Sequence, residues 1–533
     1  MSEQETFDIV VIGGGSGGSA AAGRLAEDGT RSVCLVETGK RNNGWRVRTP
    51  GMMPFLPKNT NYRYDTVPQA GLDGRIGYQP RGRGLGGSSA INAMIYIRGH
   101  AWDYDNWAAL GCTGWAYDDV LPYFRKAEAN ARGADEYHGG DGPLHVSDQH
   151  WPNPTSRAFV ESAASLQLPM NDDFNGERQR GFGIYQVTQK DGERWSAARG
   201  YVEPLRDRPN FTIRTGTLAK RLVVEDGRVT GVVVRQGRRE RTIHARGGVV
   251  LAGGAFNSPQ LLMCSGVGPA KHLRERGVDV LLDRPAVGSD LQDHIDYVSS
   301  WETQSRDPVG DSREGTARTL RAIVEHVRHK TGMMTTPWAE AGGFWTVMPD
   351  APAPDVQWHF VPAMLEDHGR AKVKGHGFSL HACVLRPESR GTVRLASPDA
   401  DDAPLIDPNF LSDPEGRDMA VLREGVRLSH RIVASPPLSG YEPRDRWPTE
   451  LDDDDLLDIL IRHRADTVYH PVGTCRMGSD EDAVVDPTLK VRGLDGLWIA
   501  DASVMPRLVG GNTNAPSIMI GERCADFVKA ALR

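Results

Sequence analysis

A strand, a glycine-rich turn and a helix follow one another near the start of the chain, and this order constrains the fold more than any other feature. Residues 9–12 are a continuous run of β-branched residues, which is typical of a strand buried in a parallel sheet. The turn at 13–18 reads GGGSGG, and residues 19–27 are rich in alanine and predict a helix. A second strand over 31–36 ends at Glu37. The segment therefore predicts a βαβ unit.

The glycine spacing of this unit is typical of dinucleotide binding. Gly13 permits a tight turn, Gly15 lets the backbone approach a pyrophosphate, and Gly18 lets the helix pack closely on the strand. The helix N-terminus offers free N–H groups to the phosphates, and Glu37 is placed to accept the ribose hydroxyls. The motif does not distinguish FAD from NAD. The predicted cofactor contacts in this unit are Gly13, Gly15, Ser16, Gly17, Gly18, Glu37 and Thr38.

Composition excludes several other classes of protein. The net charge is −7, from 63 basic and 70 acidic residues, so the chain has no polycation for nucleic acid. Its six cysteines include no C-x-x-C pair, and we expect neither a disulfide framework nor a metal site. No apolar run approaches the ~18 residues that a membrane span needs. The polar N-terminus lacks the features of a signal peptide. These observations favour a cytoplasmic enzyme.

The middle of the chain differs in pattern from its two ends. Residues 355–360 and 378–384 alternate between polar and apolar, which predicts half-buried antiparallel strands. We therefore expect an α/β protein in which a discontinuous Rossmann-like FAD-binding domain carries an inserted α+β substrate domain built on an antiparallel sheet. The predicted FAD-binding segments are 1–155, 201–297 and 465–533, and the predicted substrate-domain segments are 156–200 and 298–464.

A second glycine loop carries a resemblance to a known family. Residues 80–92, PRGRGLGGSSAIN, are similar to the first signature of the glucose–methanol–choline (GMC) oxidoreductases, and residues 254–268 resemble the second. Residues 287–294 and 501–503 resemble further segments of the same family, in family order. The resemblance implies FAD as cofactor. It also implies cofactor contacts at Gly82, Leu85, Gly87, Asn92, Met94, Ala219, Tyr469, Asp501, Ala502, Asn512 and Pro516.

The mode of FAD attachment follows from one position in the same loop. Some family members bind FAD covalently through a histidine directly before the asparagine of this signature. Ile91 stands there in this chain, and an alkyl side chain has no nitrogen to form that bond. We therefore expect non-covalent FAD.

Two C-terminal segments carry the catalytic positions of the family. A histidine and a second His or Asn about 44 residues later face the flavin in relatives, and His470 and Asn514 match these positions. Histidine suits a general base at neutral pH. By this reading His470 takes the hydroxyl proton of an alcohol while hydride leaves for flavin N5, and the Asn514 amide holds the substrate oxygen. Pro516 is predicted to start the helix that follows.

The sequence constrains the identity of the substrate less than it constrains the type of reaction. Glu340, Phe344 and Trp358 are tentative substrate contacts, because in choline-oxidising relatives a glutamate at the place of Glu340 meets the trimethylammonium group and aromatic rings add cation–π attraction. Residues 183–196 look closest to bacterial alkanol and polyethylene glycol dehydrogenases, which favours a neutral primary alcohol. The alternatives are a choline-type quaternary ammonium alcohol and a lyase on the same fold. The electron acceptor is oxygen, a quinone or a dye.

One amphipathic stretch leaves two interpretations open. Leu320, Ile323, Val324 and Val327 follow helical spacing with basic residues around them. They indicate a surface helix of the substrate domain, or a helix in peripheral contact with a membrane. The oligomeric state is left open.

Overall fold

The fold is built on a mixed sheet and an antiparallel sheet. The structure is a computed structural model that describes residues 5–448 and 450–533; the polar start of the chain at 1–4 lies outside the described residues. The mixed sheet consists of the strands Glu5–Ile12, Val33–Glu37, Phe211–Thr215, Thr217–Glu225, Arg228–Gln236, Arg239–Leu251 and Leu497–Ile499.

The strand Arg239–Leu251 organises the mixed sheet. One of its edges pairs in parallel with Glu5–Ile12 along the whole length of that strand. Its other edge is divided: the first half pairs antiparallel with Arg228–Gln236, and the end pairs in parallel with Leu497–Ile499. The predicted βαβ unit therefore shares one sheet with the hairpin of Arg228–Gln236 and Arg239–Leu251 and with a strand from the C-terminal region, as a discontinuous domain requires.

Two helices from opposite ends of the sequence pack together beside this sheet. A Cβ atom on Gly521 would lie 2.2 Å from the carbonyl oxygen of Gly17, so glycine allows Asn514–Ala531 to approach Ser16–Ala26. Arg24 Nε donates to the buried Glu522 carboxylate at 2.7 Å. The C-terminal helix begins at Asn514, two residues before the start predicted at Pro516, so the proline lies in its first turn, where no backbone N–H is needed.

The antiparallel sheet is the framework of the second, α+β part of the fold. Its strands are Gly181–Ile184, Ile295–Thr303, Gly310–Asp311, Ala341–Trp345, Val356–Val361, Gly375–Val384, Arg444–Asp445 and Asp466–Thr467. Trp358, Phe360 and Leu380 point to one core together with residues of the helix Arg417–Val433. The expected α+β substrate domain beside an FAD-binding domain is confirmed, while its segment boundaries stay predictions.

The expectation of half-buried strands in this sheet is wrong. Every residue of Val356–Val361 is buried, and Gly375–Val384 is buried except at Gly375 and His381. Helix Arg417–Val433 covers one face. The polar residues of the alternation occupy the other face, which is turned towards a cavity inside the protein and not towards solvent.

The remaining helices lie around the two sheets, and one of them is strongly amphipathic. Arg313–His329 leaves Leu320, Val324 and Val327 exposed. Across the described ranges, no helix is both long enough and apolar enough to cross a membrane. In the described part of the chain, the other α-helices are Trp45–Arg48, Ala101–Ala109, Tyr117–Ala127, Pro154–Ser165, Gly254–Cys264, Ala270–Glu275 and Asp454–Arg464.

Candidate active site

A cavity of about 1120 Å³ lies between the two sheets. The mixed sheet contributes the carboxyl ends of its parallel strands, at Ile12, Glu37 and Leu251, which is the edge where α/β sheets bind ligands. The antiparallel sheet contributes its polar face. The predicted site residues that line the cavity are Gly13, Gly15, Ser16, Gly17, Glu37, Thr38, Gly82, Gly87, Asn92, Met94, Ala219, Tyr469, His470, Asp501, Ala502, Asn512 and Asn514.

The first glycine loop has the geometry that its sequence predicts. Gly13 has φ +103°, and a Cβ there would lie 2.2 Å from the carbonyl oxygen of Ala252. A Cβ on Gly18 would lie 1.9 Å from the carbonyl oxygen of Gly13, so Gly18 serves helix–strand packing and does not line the cavity. A Cβ on Gly15 would meet nothing within 4 Å. The backbone at Gly15 is thus left open towards the cavity.

Glu37 holds the two glycine loops together. Its carboxylate accepts hydrogen bonds from the backbone amides of Gly14 at 2.8 Å, Gly39 at 2.7 Å and Gly84 at 2.9 Å. A carboxylate has about four acceptor positions, so one remains for a ribose hydroxyl. The residue predicted to bind the ribose is therefore also a structural link between both loops.

A buried arginine supports the second loop. Arg194 is 1 % exposed and donates to the carbonyl oxygen of Asn92 at 2.6 Å and to its side-chain oxygen at 2.8 Å. It has no carboxylate partner among the described residues, and burial lowers its pKa to about 9. Because its hydrogen bonds go to the backbone that lines the cavity, Arg194 fixes the loop at Asn92. No role for Arg194 is predicted from the sequence.

One cavity brings together residues from distant segments of the chain, as a long cofactor needs. Its lining includes Thr38 and Ala219, the first glycine loop, and Asn92, Met94 and His470. The open backbone at Gly15 gives phosphates a place without a side chain. These residues fit FAD, the cofactor that the sequence resemblance implies.

A chain of buried imidazoles fixes the orientation of His470. His470 Nδ1 lies 3.0 Å from Nδ1 of His294, and the other nitrogen of His294, Nε2, lies 3.0 Å from the carbonyl oxygen of Leu385. Burial lowers the pKa of His294 to about 3, so this ring is neutral. The carbonyl of Leu385 only accepts, and His294 Nε2 therefore carries the proton.

The tautomer of His470 follows from this chain. Since His294 Nδ1 carries no proton, it accepts from His470 Nδ1–H. Burial and then the neighbouring His294, His359 and Arg81 hold the pKa of His470 well below its ordinary value. His470 is therefore neutral at pH 7, and its Nε2 carries a lone pair on the cavity side, where the amide nitrogen of Asn512 lies 3.2 Å away.

Two further groups position the backbone of His470. Asp293 Oδ1 accepts from the His470 backbone N–H at 2.8 Å, and its other oxygen accepts from Thr467 Oγ1 at 2.6 Å. Burial raises the pKa of Asp293 to about 6. Tyr469 has φ +76°, a conformation that disfavours side chains other than glycine. This strained turn and Asp293 together set the direction of the imidazole.

The two C-terminal asparagines have different partners. Asn512 Nδ2 lies 3.2 Å from Nε2 of His470, and its oxygen accepts from Gln357 Nε2 at 3.1 Å. Asn514 Oδ1 accepts from Ser16 Oγ at 2.7 Å. Both asparagines line the cavity, but the structure brings His470 to Asn512, whereas it brings Asn514 to the first glycine loop.

The three tentative substrate contacts lie in the protein core, outside the cavity lining. Glu340 is 1 % exposed and accepts from the Asn153 backbone N–H at 2.7 Å and from Ser156 Oγ at 2.7 Å. Phe344 is fully buried, and Trp358 donates from Nε1 to Ser429 Oγ at 2.9 Å. The predicted cofactor residues Leu85 and Pro516 also lie outside the lining.

The site residues that sequence reasoning missed come from the antiparallel sheet and from the segment that leads into its strand Ile295–Thr303. Asp293 and His294 lie in the segment 287–294, whose family resemblance was the available signal, although it assigned them no role. Gln357 and His359 appeared only as members of an alternating strand. Their part in the site depends on the packing of the two sheets.

Comparisons with known proteins agree with this geometry. Family models for GMC oxidoreductases match residues 7–296 and 387–521. An alcohol dehydrogenase [acceptor] of Pseudomonas putida is 42% identical, over 98% of this chain and 95% of the relative. An oxygen-dependent choline dehydrogenase of Rhizobium etli is 41% identical, with the same coverage of both chains.

Solved structures show the same fold over the full length. Pyridoxine 4-oxidase from Mesorbium loti superposes with a TM-score of 0.87 at 33% identity, over 97% of this chain and 98% of that one. Formate oxidase from Aspergillus oryzae superposes with a TM-score of 0.92 at 27% identity, over 99% of both chains. The chain belongs to the GMC oxidoreductase family and is an FAD-dependent oxidoreductase acting on CH–OH donors.

Proposed function

We propose that the enzyme oxidises a neutral primary alcohol to its aldehyde, with His470 Nε2 accepting the hydroxyl proton. The observation that carries this proposal is the hydrogen-bond chain from Leu385 through His294 to His470. It leaves His470 neutral with a lone pair at Nε2. A positioned base of this kind is what removal of hydride from an alcohol carbon needs, because alkoxide character promotes the departure of hydride.

The residues of this chain then have separate tasks. FAD, when bound, supplies the hydride acceptor. His470 takes the proton at Nε2 and keeps its Nδ1–H bond to His294. Asn512 lies within hydrogen-bond distance of the same nitrogen, so its amide is placed to donate to the substrate oxygen beside the base. The alcohol thus loses one hydride and one proton and becomes the aldehyde.

A neutral substrate is favoured over choline by the placement of Glu340. Both oxygens of this carboxylate accept hydrogen bonds from protein groups, with Thr336 Oγ1 on the second oxygen at 2.7 Å. It is not free to meet a trimethylammonium group. The named activity of the Pseudomonas putida relative supports the same class, while that of the Rhizobium etli relative keeps choline in the test panel.

The test is anaerobic mixing of the yellow holoenzyme with a panel of primary alcohols and choline. We expect the visible flavin band to bleach with primary alcohols. Bleaching with choline alone would overturn the assignment to neutral substrates. No bleaching with any compound despite bound FAD would overturn alcohol oxidation and favour a lyase. Admission of air then separates oxygen from a quinone or dye as acceptor through the rate of reoxidation and the peroxide formed.

A further inference from the structure

Three polar side chains of the antiparallel sheet line the cavity without belonging to the hydrogen-bond chain of His470, His294 and Asn512. They are Asp296, His359 and His381, and we call them the sheet-face cluster. His359 lies directly opposite His381 in the pairing of Val356–Val361 with Gly375–Val384. Their ring centroids are 6.1 Å apart. The three residues therefore form one polar patch on the substrate-domain wall of the cavity.

Within the cluster, the only hydrogen bond among the described residues joins His381 to Asp296. His381 Nδ1 lies 2.5 Å from Asp296 Oδ2. Asp296 Oδ1 and both ring nitrogens of His359 have no hydrogen-bond partner in the described part of the chain. Asp296 and His359 are each 4 % exposed. Three buried polar atoms on one wall of the cavity are thus unpaired.

Unpaired polar atoms of this kind are costly. A polar atom buried without a partner keeps the full cost of its desolvation, and most buried polar atoms in proteins are satisfied. Burial, followed by the nearby His381 and His294, holds the pKa of His359 well below its ordinary value, so its ring is neutral. His359 consequently offers one N–H donor and one bare acceptor nitrogen, and Asp296 offers one acceptor oxygen.

We propose that the sheet-face cluster binds a second hydroxyl group of the substrate, so that the enzyme prefers diols and related hydroxylated alcohols to plain alkanols. This inference rests on the proposed oxidation of the first hydroxyl at His470. A hydroxyl group matches the cluster because it donates to Asp296 or His359 and accepts from His359. A quaternary ammonium group has no N–H to donate, an alkyl chain leaves all three atoms unpaired, and a carboxylate is repelled by Asp296.

The test compares matched alcohols in anaerobic flavin reduction. The pairs are 1-propanol with 1,2- and 1,3-propanediol, 1-butanol with 1,4-butanediol, and 1-hexanol with 1,6-hexanediol. We expect kcat/KM for at least one diol to exceed that for its alkanol by tenfold or more, because a site built to bind a hydroxyl discriminates strongly against an analogue that lacks it.

Variants distinguish the contribution of the sheet-face cluster from general effects of a substitution on the cavity. His359→Leu and Asp296→Asn should lower the diol-to-alkanol ratio of kcat/KM towards 1. His359→Gln should keep most of the preference, because the amide still offers a donor and an acceptor. His376→Phe is the matched control, since His376 is a buried histidine of the strand that carries His381 but lies outside the cavity lining, and its ratio should equal that of wild type.

The outcomes distinguish the inference from the function on which it rests. If alkanols bleach the flavin as efficiently as every diol, the second-hydroxyl site is wrong and alcohol oxidation stands. An unchanged preference in His359→Leu and Asp296→Asn also overturns the site. If neither class bleaches the flavin, the proposed function itself fails.

Discussion

Asn512 places its amide nitrogen 3.2 Å from Nε2 of His470, whereas Asn514 bonds to Ser16. Gln357 orients the Asn512 amide, because its Nε2–H₂ donates to the Asn512 oxygen and leaves the Asn512 nitrogen facing the imidazole. The asparagine nearest to the predicted base is thus two residues before the position that the family spacing indicates. The two asparagines can be separated experimentally.

Replacement of each asparagine should affect a different property. Asn512→Ala removes a donor beside the base and should slow anaerobic flavin reduction roughly 10²-fold, the usual scale for one such donor. Asn514→Ala frees Ser16 Oγ in the glycine loop and should mainly weaken FAD retention, measured as flavin lost on gel filtration. A larger loss of reduction rate in Asn514→Ala, with full FAD content, would return the substrate-holding role to Asn514.

Replacement of His470, the proposed base, should leave the cofactor in place. His470→Ala should retain FAD, since the glycine loops and Glu37 are untouched, and should slow flavin reduction by ~10²-fold or more. The measurement is stopped-flow reduction at pH 7 with a saturating alcohol. A rate near that of wild type would show that His470 is not the base.

His294 should act as a positioning residue for His470. In His294→Leu, the Nδ1–H of His470 loses its acceptor and the ring is free to adopt the other tautomer, so we expect flavin reduction to slow by about tenfold or more. His294→Gln should recover most of the rate, because its amide can accept from His470 and donate to the carbonyl of Leu385. The pH dependence of the flavin-reduction rate should differ between His294→Leu and wild type. Loss of packing alone would not change this pH dependence.

Much of the architecture was predictable because it depends on local pattern. The β-branched run before Gly13 and the acid at Glu37 define the first βαβ unit, and the structure places both where the glycine spacing requires. The turn at Gly237 lies between two strands rich in β-branched residues, and these form the hairpin of Arg228–Gln236 with Arg239–Leu251. Local sequence sets these elements through turn chemistry and strand burial.

The substrate side was not predictable, because it depends on contacts between distant segments. Alternation at Gln357 and His359 indicated a half-exposed strand, but the polar face turns inward to the cavity. Conversely, Glu340 was predicted either to contact substrate or to form a structural ion pair, and it is engaged with Asn153 and Ser156, about 185 residues away along the chain. Polarity predicts that a side chain needs partners, but not whether those partners are water, substrate or protein.

Acid should destabilise the protein through His294. Its pKa is about 3 in the folded protein against roughly 6.5 when unfolded. The stability that the neutral ring contributes is therefore full above pH 6.5 and decreases as the pH falls towards 3. The free energy of unfolding of wild type, relative to His294→Gln, should fall by about 1 kcal/mol from pH 6.5 to 5.5. Thermal unfolding midpoints of wild type and His294→Gln, measured together from pH 6.5 to 5.5, test the direction of this change. Curves of midpoint against pH that run parallel for the two proteins would contradict the prediction.

The attachment of FAD can be tested at Ile91, which lines the cavity beside Asn92. An alkyl side chain offers no nitrogen to bond the 8α-methyl carbon of the flavin, so the linkage that some relatives make through a histidine at this position cannot form. Retention must then depend on the open backbone at Gly15, the Glu37-linked glycine loops and burial of the ring. Acid precipitation of the holoenzyme should release all yellow colour into the supernatant. Colour that stays with the precipitated chain would show that another residue forms a covalent bond to the flavin.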